Sequence, residues 1–138
     1  MVETIITENS LNHEIPPHCQ GQDGSELHFF GRVRADEQGK SITGLYYEHY
    51  EGMAQAEMQK LAEKIISGYE ISRLYCVHRI GLVPAGEVSL QVIIWSRHRV
   101  AGLEAISSFI TQLKQDVPIW KEAVFIDGHR KVVECSHR

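Results

Sequence analysis

Cysteine is scarce in this chain. The three present, Cys19, Cys76 and Cys135, stand far apart and in no CxxC pair, which excludes a disulfide framework and a zinc knuckle. Eight histidines occur, but no HExxH run or close His/Cys grouping comes with them, so no structural or catalytic metal is expected. A GxxxxGK[ST] phosphate loop is missing too, and Gly81 and Gly86 read as turn residues. No run of about 18 apolar residues could cross a bilayer. The opening MVETIITENS lacks the basic-then-apolar order of a secretion signal, so the expected location is the cytoplasm. Basic charge is also thin: 14 Lys and Arg against 18 Asp and Glu leave a net charge of -4. Any handling of anions therefore rests on a local cluster rather than on the whole surface.

What remains is an ordinary globular pattern. The 138 residues suit one domain with a real core, with residues 8–25 as a surface loop. Strand-like runs fall at 2–7, 27–33, 42–49, 71–80, 87–95, 119–126 and 130–133. Gly31 interrupts the second and suggests a bulge or a close backbone approach. The second and third suit an antiparallel pair joined by the polar loop at 34–40. One helix starts near Gly52, buries Ala54, Met58, Leu61 and Ile65, and ends with Gly68 just past its last turn. Residues 81–86 read as a turn, and Asp127-Gly128 between apolar runs as a hairpin. Strands and helices are interspersed without strict alternation, which predicts an α+β sandwich rather than a doubly wound sheet.

Charge of one sign gathers within residues 92–121. The apolar run VIIW passes into Ser96-Arg97-His98-Arg99, and a second helix follows with Leu103, Ile106, Ile110 and Leu113 on one 3.6-residue face. Pro118 stops that helix, because the residue before a proline is pushed out of the α region. Lys114 falls in its last turn and Lys121 just beyond. A helix of about 15 residues is about 22 Å long, so its two cationic ends cannot line one small pocket within a single copy. Across a two-fold dimer axis they can.

Cations at a helix start oppose its positive dipole end, so Arg97 and Arg99 there make sense if an anion joins them. Guanidinium forks match phosphate or carboxylate oxygens in two-point contacts. Pairing with nearby Asp or Glu is the plainer alternative. Crowding and burial disfavour an ammonium, so a cationic pocket is a route to a lysine base or nucleophile. Lys114 equally suits the helix dipole with no catalytic duty. Arg34 ends a strand and joins the set. Trp120 reads as core or interface, His78 as a satisfied sheet histidine, and Cys76 as an inert buried thiol.

Four segments then stand together in order: YYEHYEGMA at 46–54, HRIGLVPAGEVSLQV at 78–92, the His98-Arg99 pair before a helix, and LKQDVPIWK at 113–121 with Asp127-Gly128 after it. From about residue 27 to 130 they resemble the large, catalytic subunit of molybdopterin synthase. The resemblance implies an α/β hammerhead-type subunit with an additional small antiparallel β subdomain. It implies a homodimer of large subunits, each binding a small ubiquitin-like sulfur-carrier subunit by its Gly-Gly C-terminus, in all a heterotetramer. The implied reaction moves sulfur from that thiocarboxylate to cyclic pyranopterin monophosphate and builds the dithiolene of molybdopterin in two rounds. No cofactor or metal is implied, since molybdenum enters later, and neither nucleic acid nor membrane takes part. The family's active-site lysines fall on Lys114 and Lys121. Its strand-end arginine falls on Arg34 within GRVR, and the His-Arg pair supplied across the dimer falls on His98 and Arg99. The chain departs from the pattern at Ala123, where the family has Glu, and at Lys131, where it has Trp. From another class, the alternative is a non-catalytic dimeric module that holds a ubiquitin-like tail.

Overall fold

The computed structural model describes residues 1–12, 15–16 and 21–133. Cys19, Cys135 and part of the expected 8–25 loop lie outside the described residues. The elements follow the order β1 (Val2–Thr7), β2 (Ser25–Arg32), β3 (Asp36–Glu37), β4 (Lys40–His49), α1 (Met53–Gly68), β5 (Ile71–Arg79), β6 (Gly81–Pro84), β7 (Val88–Ser96), α2 (Arg99–Asp116), β8 (Ile119–Phe125) and β9 (Arg130–Val132). This is the expected α+β class.

The first sheet has the order β1-β5-β7-β2. Its β1–β5 pair is parallel, while β5–β7 and β7–β2 are antiparallel. Side chains alternate across a sheet, so Leu74, Cys76, Leu90, Val92 and Ile94 turn to one face and pack against α1 and α2. Ala54, Met58, Leu61 and Ile65 of α1 are buried there, as their spacing predicts. Every residue of the central strand β7 is buried. The core of this layer also takes Ala105, Phe109 and Leu113 from α2.

The second sheet has the order β3-β4-β8-β9, with β6 also on β4, and all its pairs are antiparallel. Val33, Ile42, Leu45, Val83 and Ala123 form its own small core. The Asp127-Gly128 hairpin joins β8 to β9 as expected.

Four sequence expectations are corrected. The run at 27–33 does not pair with that at 42–49, because β2 and β4 belong to different sheets. A bulge at Gly31/Arg32 ends the β2–β7 ladder, and the chain crosses over through Val33, whose N–H donates to the Glu87 carbonyl. The 81–86 turn contains a strand: glycines with positive φ bound it at Gly81 and Gly86, and β6 between them pairs with β4. That pairing needs Gly44, where a Cβ would lie 2.5 Å from the Val83 carbonyl oxygen. Gly68 is the last residue of α1 rather than a left-handed cap, and Tyr69 takes extended backbone straight toward β5.

The fourth concerns α2, which turns a different side inward. Its buried line is Gly102, Ala105, Phe109 and Leu113, with Ile106 and Ile110 packed at the margin and Leu103 52% exposed. Close approach decides this. A Cβ on Gly102 would meet Ser96 Oγ at 2.9 Å and Leu27 Cδ1 at 3.1 Å, so the helix seats on its small residues. Phe109→Ala should therefore cost about 3–5 kcal/mol of unfolding free energy, while Leu103→Ala should cost less than about 1 kcal/mol. Denaturant unfolding checks the pair, and equal losses would mean the helix is rotated the other way.

Candidate active site

Pro118 separates the two lysines of the sequence reading. Helix α2 ends at Asp116, Val117 is extended at φ -87 and ψ 128, and the N–H of Val117 still reaches the Leu113 carbonyl. β8 then runs back along β4 with Lys121 directly opposite Tyr47 and Ala123 opposite Leu45. Directly opposed residues share a face, so Lys121 and Tyr47 both turn inward, over the same side that carries the small second core. Lys114, in the last turn of α2, stands beside buried Leu113 at the edge of the same space.

Between the second sheet, the bulged end of β2 and the C-terminal end of α2 lies a hollow of about 560 Å³. Lys114, Lys121 and Arg34 all line it. Its apolar floor includes Phe29, Leu45, Leu90 and Leu113. Arg34 follows the strand end and sits at the rim, its side chain 80% exposed and its guanidinium 3.9 Å from Glu37. Such an exposed, loose pair adds little stability and leaves the arginine available. Lys114 is exposed and Lys121 half-buried.

His98 and Arg99 stand elsewhere. They are exposed at the start of α2, and a helix of 18 residues is about 27 Å long. Within one chain the five predicted groups thus divide into three around the hollow and two at the far end of the helix. Among the described residues, no side-chain hydrogen bond caps that helix start at His98.

The sequence reading missed several lining residues, of which His78 matters most. Alternation along ISRLYCVHR puts it on the face of Leu74 and Cys76, at the strand end nearest the hollow; an imidazole closing an apolar face was the available signal. The expectation of a satisfied histidine holds for one nitrogen only. Nδ1–H donates to the Arg79 carbonyl at 2.8 Å, while Nε2 has no hydrogen-bond partner among the described residues and belongs to a ring that lines the hollow. Tyr47 packs edge-on against the ring, centroids 5.2 Å apart at 71°. The Tyr47 hydroxyl donates to Ser89 Oγ at 3.4 Å, and Ser89 donates to the Gly31 carbonyl at 3.2 Å. Burial pushes the His78 pKa down to about 4; the bond to Arg79 opposes this, and the positive fields of Lys121, His49 and Lys114 add to it.

The remaining readings sort as follows. Burial raises the pKa of Cys76, whose Sγ packs 3.9 Å from Met58 Sδ; it is an inert core thiol. Trp120 is no core residue: it stands at the hollow's edge, partly exposed, with Nε1–H donating to Glu48 Oε2 at 3.1 Å. Ala123 and Lys131, the two departures from the family pattern, are cross-strand partners in the β8–β9 hairpin. They change one spot rather than two. Among the described residues no group of three or more His, Cys, Asp or Glu gathers to hold a metal ion.

Fold and hollow together define an α+β protein with an apolar-floored hollow lined by Lys114, Lys121 and Arg34. Residues 5–116 match the model of the MoaE protein family, and the chain belongs to that family, the catalytic subunits of molybdopterin synthase. It is 40% identical over 127 residues to a molybdopterin synthase catalytic subunit of Dictyostelium discoideum, covering 89% of this chain and 80% of that one. It spans little more than half the length of the human and rat catalytic subunits it also resembles, 57% and 54%. Among solved structures, molybdopterin synthase from Staphylococcus aureus superposes with a TM-score of 0.75 at 26% identity, over 91% of this chain and 85% of that one. A protein-protein complex of subunits 1 and 2 of the molybdopterin-converting factor from Helicobacter pylori superposes at 0.68 and 26% identity, over 82% and 73%.

His78 makes stability depend on pH in a defined direction. Its folded pKa of about 4 lies below the ordinary 6.5, so on acidification the unfolded chain binds this proton first. The stability is complete above about pH 6.5 and lost toward pH 4, by about 3 kcal/mol. Between about pH 7 and pH 4 the wild type should lose more unfolding free energy than His78→Gln. Parallel losses would mean that the imidazole titrates normally in the fold.

Proposed function

We propose that the hollow is the sulfur-transfer site of a molybdopterin synthase. A small ubiquitin-like subunit threads its Gly-Gly tail toward Lys114 and Lys121, and the terminal thiocarboxylate delivers sulfur to cyclic pyranopterin monophosphate. Two rounds install the dithiolene and open the cyclic phosphate. In each, the thiocarboxylate sulfur bonds to a substrate side-chain carbon as a C–O bond there breaks. Water then cleaves the resulting thioester C–S bond, leaving the tail as a carboxylate. The observation that carries this reading is the convergence of Lys114, Lys121 and Arg34 on one hollow with an apolar floor. The cations suit a phosphate and a thiocarboxylate, and the floor suits a heterocycle. That the Helicobacter pylori neighbour is a complex of two different subunits supports a small-subunit partner here.

Each group then has a role. Arg34 holds the substrate phosphate from the rim, joined by His98 and Arg99 of a second copy. Those two cannot reach the hollow of their own chain, which lies at the other end of α2, and an uncapped helix start adds free N–H donors to them. The catalytic unit is therefore a homodimer of this chain, carrying one small subunit on each copy as a heterotetramer. Lys114 polarises the thioacyl carbonyl or handles the proton during transfer, and Lys121 stabilises charge as it develops. Preorganised cations of this kind supply a large share of rate acceleration where water is excluded. Whatever covers the hollow provides that exclusion, since Lys114 is exposed in the single chain. Such a reaction runs in the cytoplasm, and no helix of the described residues is long and apolar enough to cross a membrane.

Reconstitution with a thiocarboxylated small subunit and the cyclic precursor tests the reading, with dithiolene formation as the readout. Lys114→Ala should reduce turnover by at least about 100-fold while the dimer and the two-subunit complex still form. Wild-type turnover would refute the assignment, and a wild-type complex that binds the tail without product would leave a binding module. The dimer has its own test. Lys114→Ala and Arg99→Ala, each inactive alone, should on mixing regain about a quarter of wild-type activity, because half the dimers are then mixed and each has one intact site. No recovery after verified subunit exchange would place His98 and Arg99 outside the site.

A further inference from the structure

We propose that the bare Nε2 of His78 accepts a hydrogen bond from a ring N–H or amino group of the pterin, so that His78 orients the heterocycle while the cations hold the phosphate. The inference rests on the reading of the hollow as a pterin phosphate site. It assigns a residue to the half of the ligand that lysine and arginine cannot read.

The cationic groups around the hollow are donors: Arg34, Lys114 and Lys121 offer N–H to an anion and accept nothing. A pterin brings N–H donors of its own, and burying them without an acceptor is costly. Among the side chains lining the hollow, Ser89, Glu37 and His78 can accept. The Ser89 hydroxyl already donates to Gly31 and receives the bond from Tyr47, and the Glu37 carboxylate lies toward Arg34 at the rim. His78 differs from both. It is only 8% exposed, lines the hollow, and leaves Nε2 without a partner among the described residues.

Its geometry is set in advance. A backbone carbonyl cannot donate, so the contact from Nδ1 to the Arg79 oxygen at 2.8 Å requires the proton on Nδ1 and leaves the lone pair on Nε2. Tyr47, edge-on at 5.2 Å, holds the plane of the ring. A protonated imidazole would turn this acceptor into a donor and repel the adjacent cations. Burial, with Lys121, His49 and Lys114 nearby, lowers the pKa to about 4 and so keeps the ring neutral at neutral pH. With so low a basicity the ring serves as a fixed acceptor, not as a general base.

Two measurements on the complex of full-length large subunit and thiocarboxylated small subunit decide the matter. In the first, histidines are labelled with ¹⁵N and the His78 signals are assigned by their loss in His78→Gln. The free wild type should show protonated Nδ1 and bare Nε2, and saturating cyclic pyranopterin monophosphate should move Nε2 toward the hydrogen-bonded position. Inorganic phosphate, which has no ring N–H, should leave it in place. In the second, His78→Phe should raise KM for the pterin about 10-fold with kcat changed less than about 3-fold, and His78→Gln should recover part of the loss. An Nε2 signal unmoved by bound pterin, an equal response to inorganic phosphate, or a folded His78→Phe protein with wild-type KM would each overturn the proposal. The first measurement reads the wild type and needs only His78→Gln for assignment, so it stands even if His78→Phe fails to fold. An active wild type with an unmoved Nε2 removes this inference alone. A wild type that binds the pterin and makes no dithiolene removes the sulfur-transfer reading, while the NMR shift still decides the role of His78.

Discussion

Pro118 is the constraint on which the arrangement depends. It has no N–H to continue a helix and it denies Val117 a helical backbone, so α2 must stop and the chain must leave in extended form. The Tyr50 N–H then donates to the Pro118 carbonyl at 3.0 Å, which aligns the departing strand with the end of β4. From there the β4–β8 ladder sets Lys121 against Tyr47, and Lys114 remains in the last turn behind it. Two lysines seven positions apart in sequence come to face one space because one residue prevents the helix from carrying them in line.

The space itself exists because two sheets that share a chain do not share a ladder. The bulge at Gly31 releases β2 from β7, and the chain crosses into a second sheet whose small core is separate from the first. The gap between the layers is walled by apolar side chains and rimmed by cations. An assembly of like charges around a hollow adds no stability of its own, and the proposed anion or charged tail would offset their repulsion. His78 adds a neutral group to the floor, held neutral by the same burial and the same cations.

The first sheet supplies stiffness. β7 is buried along its whole length, with strands on both edges and α2 packed over one face. Seating α2 on Gly102 and Ala105 brings its backbone close to β2 and β7. That contact keeps the two ends of the helix at a fixed separation, with Lys114 at the hollow and His98-Arg99 far from it. A rigid spacer of this kind is what the proposed site, shared between two copies of the chain, would require.

Much of this was legible from residue order. The period of Ala54, Met58, Leu61 and Ile65, the stop at Pro118, the Asp127-Gly128 hairpin, the break at Gly31 and the placing of Lys114 and Lys121 on either side of that stop all follow from local rules: side-chain spacing, proline geometry and turn chemistry. These act within a few residues, so the sequence alone determined them, along with the α+β class. Tertiary structure alone decided which strands pair, that residues 81–84 form one of them, and which side of α2 faces inward. It also decided that His78 opens onto the hollow. Those outcomes turn on contacts between distant segments, such as the Val83 carbonyl against Gly44 or Leu27 against Gly102. Close packing there rewards the absence of a side chain, a preference that no count of large apolar residues along the chain can register.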